Sequence, residues 1–226
     1  MTPTAQAVRE RLKLPDPYAG FTAEGYSVDL QGGEDHPWFS GLIAQLRPRV
    51  VVEVGSWKGA SAIRMASQLR DQQRDAVVIC VDTWLGSLEH LTQSVAGWDI
   101  RPHLKHGYPA LYYQFLANVV HTGCKSYILP IPNVSLTVAR WLLKQGLQAD
   151  LIYLDGSHEE DEVYLDLVSW WKVLRPGGVV FGDDWHAYWY GVICGVNRFA
   201  KETGRRIHVH GTKWQMIKEP SSSPLQ

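Results

Sequence analysis

The chain has 226 residues, which fits one large domain with ample core. Its formal net charge is −1 with no long basic run, so the basic stripe of a nucleic-acid-binding surface is not visible. Cys80, Cys124 and Cys194 are scattered, without disulfide-framework or metal-type spacing, as in a reduced intracellular protein. No apolar run approaches membrane-spanning length and the first thirty residues hold no signal-type core, so a soluble cytoplasmic protein is expected, with no membrane partner.

In chain order, Ala5 to Leu14 reads as a short helix closed by Pro15-Asp16-Pro17, and 15–37 as a loop or lid. Trp38 to Leu46 reads as a helix. Val50 to Val54 is β-branched, a first strand, and Gly55-Ser56-Trp57-Lys58-Gly59 follows it directly. Ala60 to Leu69 is then helical. A strand, a glycine turn and a helix invite a nucleotide-like ligand, because glycine lets backbone approach closely and a helix N-terminus has free N–H groups. The spacing G-x-x-x-G departs from the dinucleotide fingerprint, which argues against a nicotinamide-dependent reductase. Ala76 to Asp82 reads as a second strand ending in an acid that suits either ribose hydroxyls or a helix cap or turn. Residues 83–110 hold Trp84, His90, Trp98, His103 and His106 but no tight metal-ligand pair. A helix over Leu111 to Val120, a third strand over Ser126 to Pro130, a turn with Asn133 and Ser135, and a helix over Val138 to Leu143 complete this half.

The most informative stretch spans 149–186. Leu151 to Leu154 and Val179 to Phe181 read as buried strands. Between them Val163, Leu167, Trp170 and Leu174 share one helical face, and Pro176-Gly177-Gly178 breaks the helix. Such a crossover joins parallel strands. Asp155 ends one strand and Asp183-Asp184 the other, at the strand ends where open parallel sheets bind ligands. Three converging carboxylates repel unless a cation neutralises them. Separately, Asp155 suits a helix cap and Asp183-Asp184 a solvated turn. Trp185 to Tyr190 offers flat rings for a substrate pocket or an apolar edge. Gly191 to Thr203 reads as a helix, Arg206 to His210 and Lys213 to Ile217 as a hairpin, and Pro220 to Gln226 as a frayed tail.

Val51-Val52-Glu53-Val54-Gly55-Ser56-Trp57-Lys58-Gly59, Val81-Asp82-Thr83-Trp84, Asp155-Gly156-Ser157-His158, Leu174-Arg175-Pro176-Gly177-Gly178 and Gly182-Asp183-Asp184, in that order, resemble the class I S-adenosylmethionine-dependent methyltransferases. The resemblance is strongest to metal-dependent O-methyltransferases acting on sugar hydroxyls of macrolide and aminocoumarin antibiotics, and extends to the cephalosporin-hydroxylase-associated group. It covers roughly residues 36–218. It implies an α/β, Rossmann-like fold with a seven-stranded, mostly parallel sheet, an antiparallel last strand and helices on both faces. The expected organisation is an N-terminal helix and lid-like segment over 1–37, a cofactor-binding domain over 38–218 and a flexible tail over 219–226.

By the same resemblance, Glu53, Gly55, Ser56 and Gly59 bind the methionine part and ribose edge of S-adenosyl-L-methionine. Asp82 holds the ribose hydroxyls, and Ser135 or Asn133 approaches the adenine. Asp155, Asp183 and Asp184 hold Mg²⁺, a suitable ion for oxygen donors, and His158 acts as base; if no metal is required, Asp155 can act alone as the base. The implied partner is a small-molecule hydroxyl acceptor, a sugar, a glycoside or a catechol-like diol, in a protein that can form homo-oligomers. A non-catalytic cofactor-binding accessory protein would need the glycine turn and Asp82 but not three acids and a histidine.

Overall fold

A computed structural model describes residues 1–32, 35–92 and 97–220. Seven strands form the main sheet: β1 (Val50–Val54), β2 (Val77–Asp82), β3 (Ile128–Pro132), β4 (Ala149–Leu154), β5 (Leu174–Gly182), β6 (His208–His210) and β7 (Lys213–Ile217). Their spatial order is β3-β2-β1-β4-β5-β7-β6. The first five are parallel, β7 runs antiparallel to β5, and β6 pairs antiparallel with β7. The expected seven-stranded sheet and terminal hairpin are therefore present. The expected tail lies largely outside the described residues, as do parts of the two expected loops.

The helices are α1 (Pro3–Arg11), α2 (Pro37–Leu46), α3 (Ala60–Asp71), α4 (Leu88–Thr92), α5 (Leu111–His121), α6 (Ser135–Lys144), α7 (Glu160–Val173) and α8 (Tyr190–Thr203). Successive strand residues point to opposite faces and build two cores. Val52, Val54, Ile79, Val81 and Ile152 face a layer that includes Val138, Leu167, Trp170 and Val196. Val51, Val78, Cys80, Leu151 and Tyr153 face Phe39, Ile43, Met65, Leu69 and Phe115. Burial on both sides explains why these strands read as continuous apolar runs.

Strand β5 starts earlier than the sequence suggests. Leu174 already pairs with Ala149, and the register shifts before Leu151 meets Val179. Arg175 to Gly178 is a bulge within the strand: Pro176 cannot donate to a ladder, and Gly177 takes φ +76°. The N-terminal helix is integral to the core, burying Ala5, Val8 and Leu12. Thr2 caps it and ties it to the Ala76 carbonyl. Among the described residues no helix is long and apolar enough to cross a membrane.

Candidate active site

The carboxyl ends of β1, β2, β3, β4 and β5 open into a cavity of about 1050 Å³. At one end lies the glycine turn. Gly55 has φ +81°, and a Cβ there would stand 2.0 Å from the Asp155 carbonyl oxygen, so only glycine fits where β1 and β4 converge. Asp82, ending β2, stitches this turn in place. Its Oδ2 accepts from the N–H groups of Ser56 (2.8 Å) and Trp57 (2.9 Å), and its Oδ1 from Trp84 N–H (2.7 Å). A carboxylate offers about four acceptor sites, which leaves one for a ligand hydroxyl.

Glu53 does not line the cavity. It is buried beneath the turn, accepting from the hydroxyls of Ser56 and Ser61 at 2.6 Å each. Burial pushes its carboxyl up to about 7, against those two bonds. Gly59 also lies off the cavity, packed against Phe115. It precedes α3, which has no side-chain cap, so the α3 N-terminus keeps free N–H groups near Ala60 and Ser61 on the wall. Asn133 and Ser135 line the β3 side. The Ser135 hydroxyl is already engaged, donating to Asp166 (2.5 Å) and accepting from Trp170 Nε1 (2.8 Å).

At the other end Asp155, His158 and Asp184 line the cavity while Asp183 sits behind them. The four residues are thus brought together, as the strand ends imply. His158 is held on both nitrogens: Nδ1 lies 2.8 Å from Glu89 Oε1 and Nε2 lies 2.8 Å from Asp184 Oδ2. Its ring stacks on Trp189 at 3.8 Å. Burial disfavours the imidazolium, but the two carboxylates outweigh it and raise the histidine to about 10. The Asp155 carboxyl is pushed well up by burial, then by the charges of Asp184 and Asp183.

Oxygen donors of this kind suit Mg²⁺ in type, but their engagement does not suit it. Asp183 Oδ1 accepts from Asp184 N–H (2.9 Å) and the Thr212 hydroxyl (2.8 Å). Its Oδ2 accepts from Lys213 Nζ and from the Tyr153 hydroxyl, the latter at 3.2 Å. Three of its four acceptor sites are thus filled, and the single Tyr153 proton is divided between this oxygen and Asp155 Oδ2 at 3.1 Å. Among the described residues no three His, Cys, Asp or Glu side chains are arranged to hold a metal ion. The three-carboxylate set expected for Mg²⁺ therefore does not fit the ion as it stands.

Glu89, Tyr153 and Lys213 are part of this rim and carry no signal in the sequence. Glu89 comes from α4, Tyr153 reads as a core residue, and Lys213 sits in an ordinary strand pattern.

A β3-β2-β1-β4-β5-β7-β6 sheet with a glycine turn after β1 and an acid ending β2 defines a Rossmann-like methyltransferase fold. The methyltransferase-domain family matches residues 52–185, and the chain belongs to that family. Its fold is similar to that of an O-methyltransferase from Bacillus cereus solved with SAH, at 13% identity and TM-score 0.58 over 95% of this chain and 90% of that one. It is also similar to TomG from Streptomyces achromogenes, an O-methyltransferase of tomaymycin synthesis solved with SAM, at 17% identity and TM-score 0.56 over 96% and 88%. No curated protein matches the chain in sequence.

Proposed function

We propose that the protein methylates a hydroxyl of a small molecule using S-adenosyl-L-methionine. The observation that carries this reading is one cavity joining the Gly55–Asp82 turn to Asp155, His158 and Asp184. Its volume exceeds what a nucleoside-sized cofactor needs, so a second molecule fits beside it. The cofactor bound in the Bacillus cereus and Streptomyces proteins supports its choice here. Gly55, Ser56 and the α3 N-terminus would hold the methionine part, Asp82 the ribose, and Asn133 and Ser135 the adenine side. When bound, the cofactor supplies a sulfonium methyl: a C–O bond forms to the acceptor as the C–S bond breaks, leaving a thioether.

The acceptor oxygen must lose its proton, and Asp155 is placed to take it. Its Oδ1 has no hydrogen-bond partner among the described residues, whereas both nitrogens of His158 are occupied. Burial, then the charges of Asp184 and Asp183, raise the proton affinity of Asp155 above that of an ordinary carboxylate, and so strengthen it as a proton acceptor. His158 then serves as a fixed positive charge that orients Asp184. Exposed Tyr188 and the Trp189 ring line this end and suit a ring-bearing acceptor, a sugar or glycoside.

Calorimetry with S-adenosylmethionine and an acceptor screen test the reading. Binding in the micromolar range, with methyl transfer to a glycoside or diol, is expected. Asp155→Asn should lower kcat by roughly 10²-fold or more with cofactor affinity unchanged. Absence of cofactor binding would remove the proposal.

A further inference from the structure

Lys213 is the least expected group at this rim. It opens β7, beside β5, and its side chain is only 2% exposed. Buried ammonium groups persist only when paired and hydrogen-bonded. Lys213 meets both conditions. It forms an ion pair with Asp183 Oδ2 and donates to the Tyr153 hydroxyl at 3.3 Å. The rings of Phe39 and Tyr153 each lie 5.5 Å from Nζ, within range of a cation–π contact.

The Tyr153 hydroxyl carries this arrangement forward. It lies 3.1 Å from Asp155 Oδ2 and 3.2 Å from Asp183 Oδ2. Lys213, Tyr153 and Asp183 form one connected network behind the cavity that reaches Asp155 on its wall. A lysine ammonium so held is a fixed positive charge next to carboxylates that would otherwise repel one another. A divalent ion bound to Asp183 would have to displace Lys213 from Oδ2, and a buried lysine on a paired strand has nowhere wet to retreat.

We propose that Lys213 is the built-in cation of this site: it neutralises Asp183, orients Asp155 through Tyr153, and makes the protein independent of a divalent metal. Asp183 is then a counter-ion and Lys213 a positioning residue. The proposal rests on the reading of the site as a hydroxyl methyltransferase only for its consequence in turnover. The metal-binding consequence stands on the geometry alone.

The experiment is a Mn²⁺ titration of the full chain, followed by electron paramagnetic resonance, run beside cofactor calorimetry. Wild type is expected to show no Mn²⁺ binding at micromolar concentrations and the same turnover in excess chelator as in Mg²⁺. Lys213→Met leaves the carboxylates without their cation and should bind Mn²⁺ at least tenfold tighter than wild type. Tyr153→Phe keeps the Lys213–Asp183 pair but cuts the link to Asp155. It should leave Mn²⁺ binding absent and cofactor affinity unchanged, and shift the pH profile of kcat. Micromolar Mn²⁺ binding by wild type, or turnover abolished by chelator and restored by Mg²⁺, would overturn the proposal. The wild-type titration decides even where Lys213→Met fails to fold. A protein that binds neither Mn²⁺ nor S-adenosylmethionine sinks the methyltransferase reading and leaves the role of Lys213 standing.

Discussion

Glu53 shows how one buried acid can support a turn without touching a ligand. Its neighbours are Ser56 and Ser61, one on the glycine turn and one in the first turn of α3. Its folded-state value of about 7 lies above the ordinary 4.5. Unfolding therefore releases the proton at a lower pH than the native state does. The stabilising effect is fully present below about 4.5 and is lost as pH rises through about 7. The full change is on the order of 3 kcal/mol. Glu53→Gln should flatten the stability profile between pH 5 and 8 in urea unfolding, and the wild-type protein should be the more pH-sensitive of the two. Parallel slopes for the two proteins would show that Glu53 is ionised in its pocket.

At the scale of elements, α4 behaves as a strap. None of its residues is buried, and Leu88 and Leu91 face solvent. Among its side-chain contacts, Glu89 meets His158 and His90 stacks on Trp57 at 4.2 Å, and both meet Ser87. His158 is raised to about 10, so its share of the contact is complete below the ordinary 6.5 and lost as pH climbs through about 10. Despite its partial burial, Glu89 is lowered to about 2 by hydrogen bonds from His158 and Ser87, so its share is complete above 4.5 and fails as pH falls through about 2. Glu89→Gln should speed amide exchange over residues 88–92 and lower the His158 titration followed by NMR. A wild-type His158 titrating near 6.5 would contradict the strap. This element also marks where sequence reading stops. The strand ends, the glycine turn and the acids Asp82, Asp155, Asp183 and Asp184 follow from local pattern, because hydrophobic runs and breakers fix where a parallel strand ends. The partners of those acids do not. Glu89 reaches His158 across 69 positions and Lys213 reaches Asp183 across 30, and nothing local distinguishes either from a solvated charge.

For the whole molecule, the cavity runs along the carboxyl ends of neighbouring strands, from the Gly55 turn to the Asp155 rim. Gly55 admits Asp155 backbone, and Asp82 ties the β1 turn to β2. A ligand that bridges the turn and the Asp155 rim would join the two halves, so cofactor binding should register as global stability. At about 100 times Kd, mass action stabilises the native state by about 2.7 kcal/mol. For a domain of this size each kcal/mol is worth roughly 2–4 °C, which gives an expected rise in Tm of roughly 5–11 °C. Gly55→Ala places a Cβ against the Asp155 carbonyl in a backbone conformation that disfavours it. It should lower Tm by itself and remove most of the cofactor-induced rise. Asp155→Asn leaves the turn untouched and should keep that rise while losing turnover. Calorimetric scans of the three proteins with and without S-adenosylmethionine therefore separate binding from chemistry. A rise retained in Gly55→Ala would place the cofactor elsewhere in the cavity, and a rise lost in Asp155→Asn would make Asp155 a binding group instead of a base.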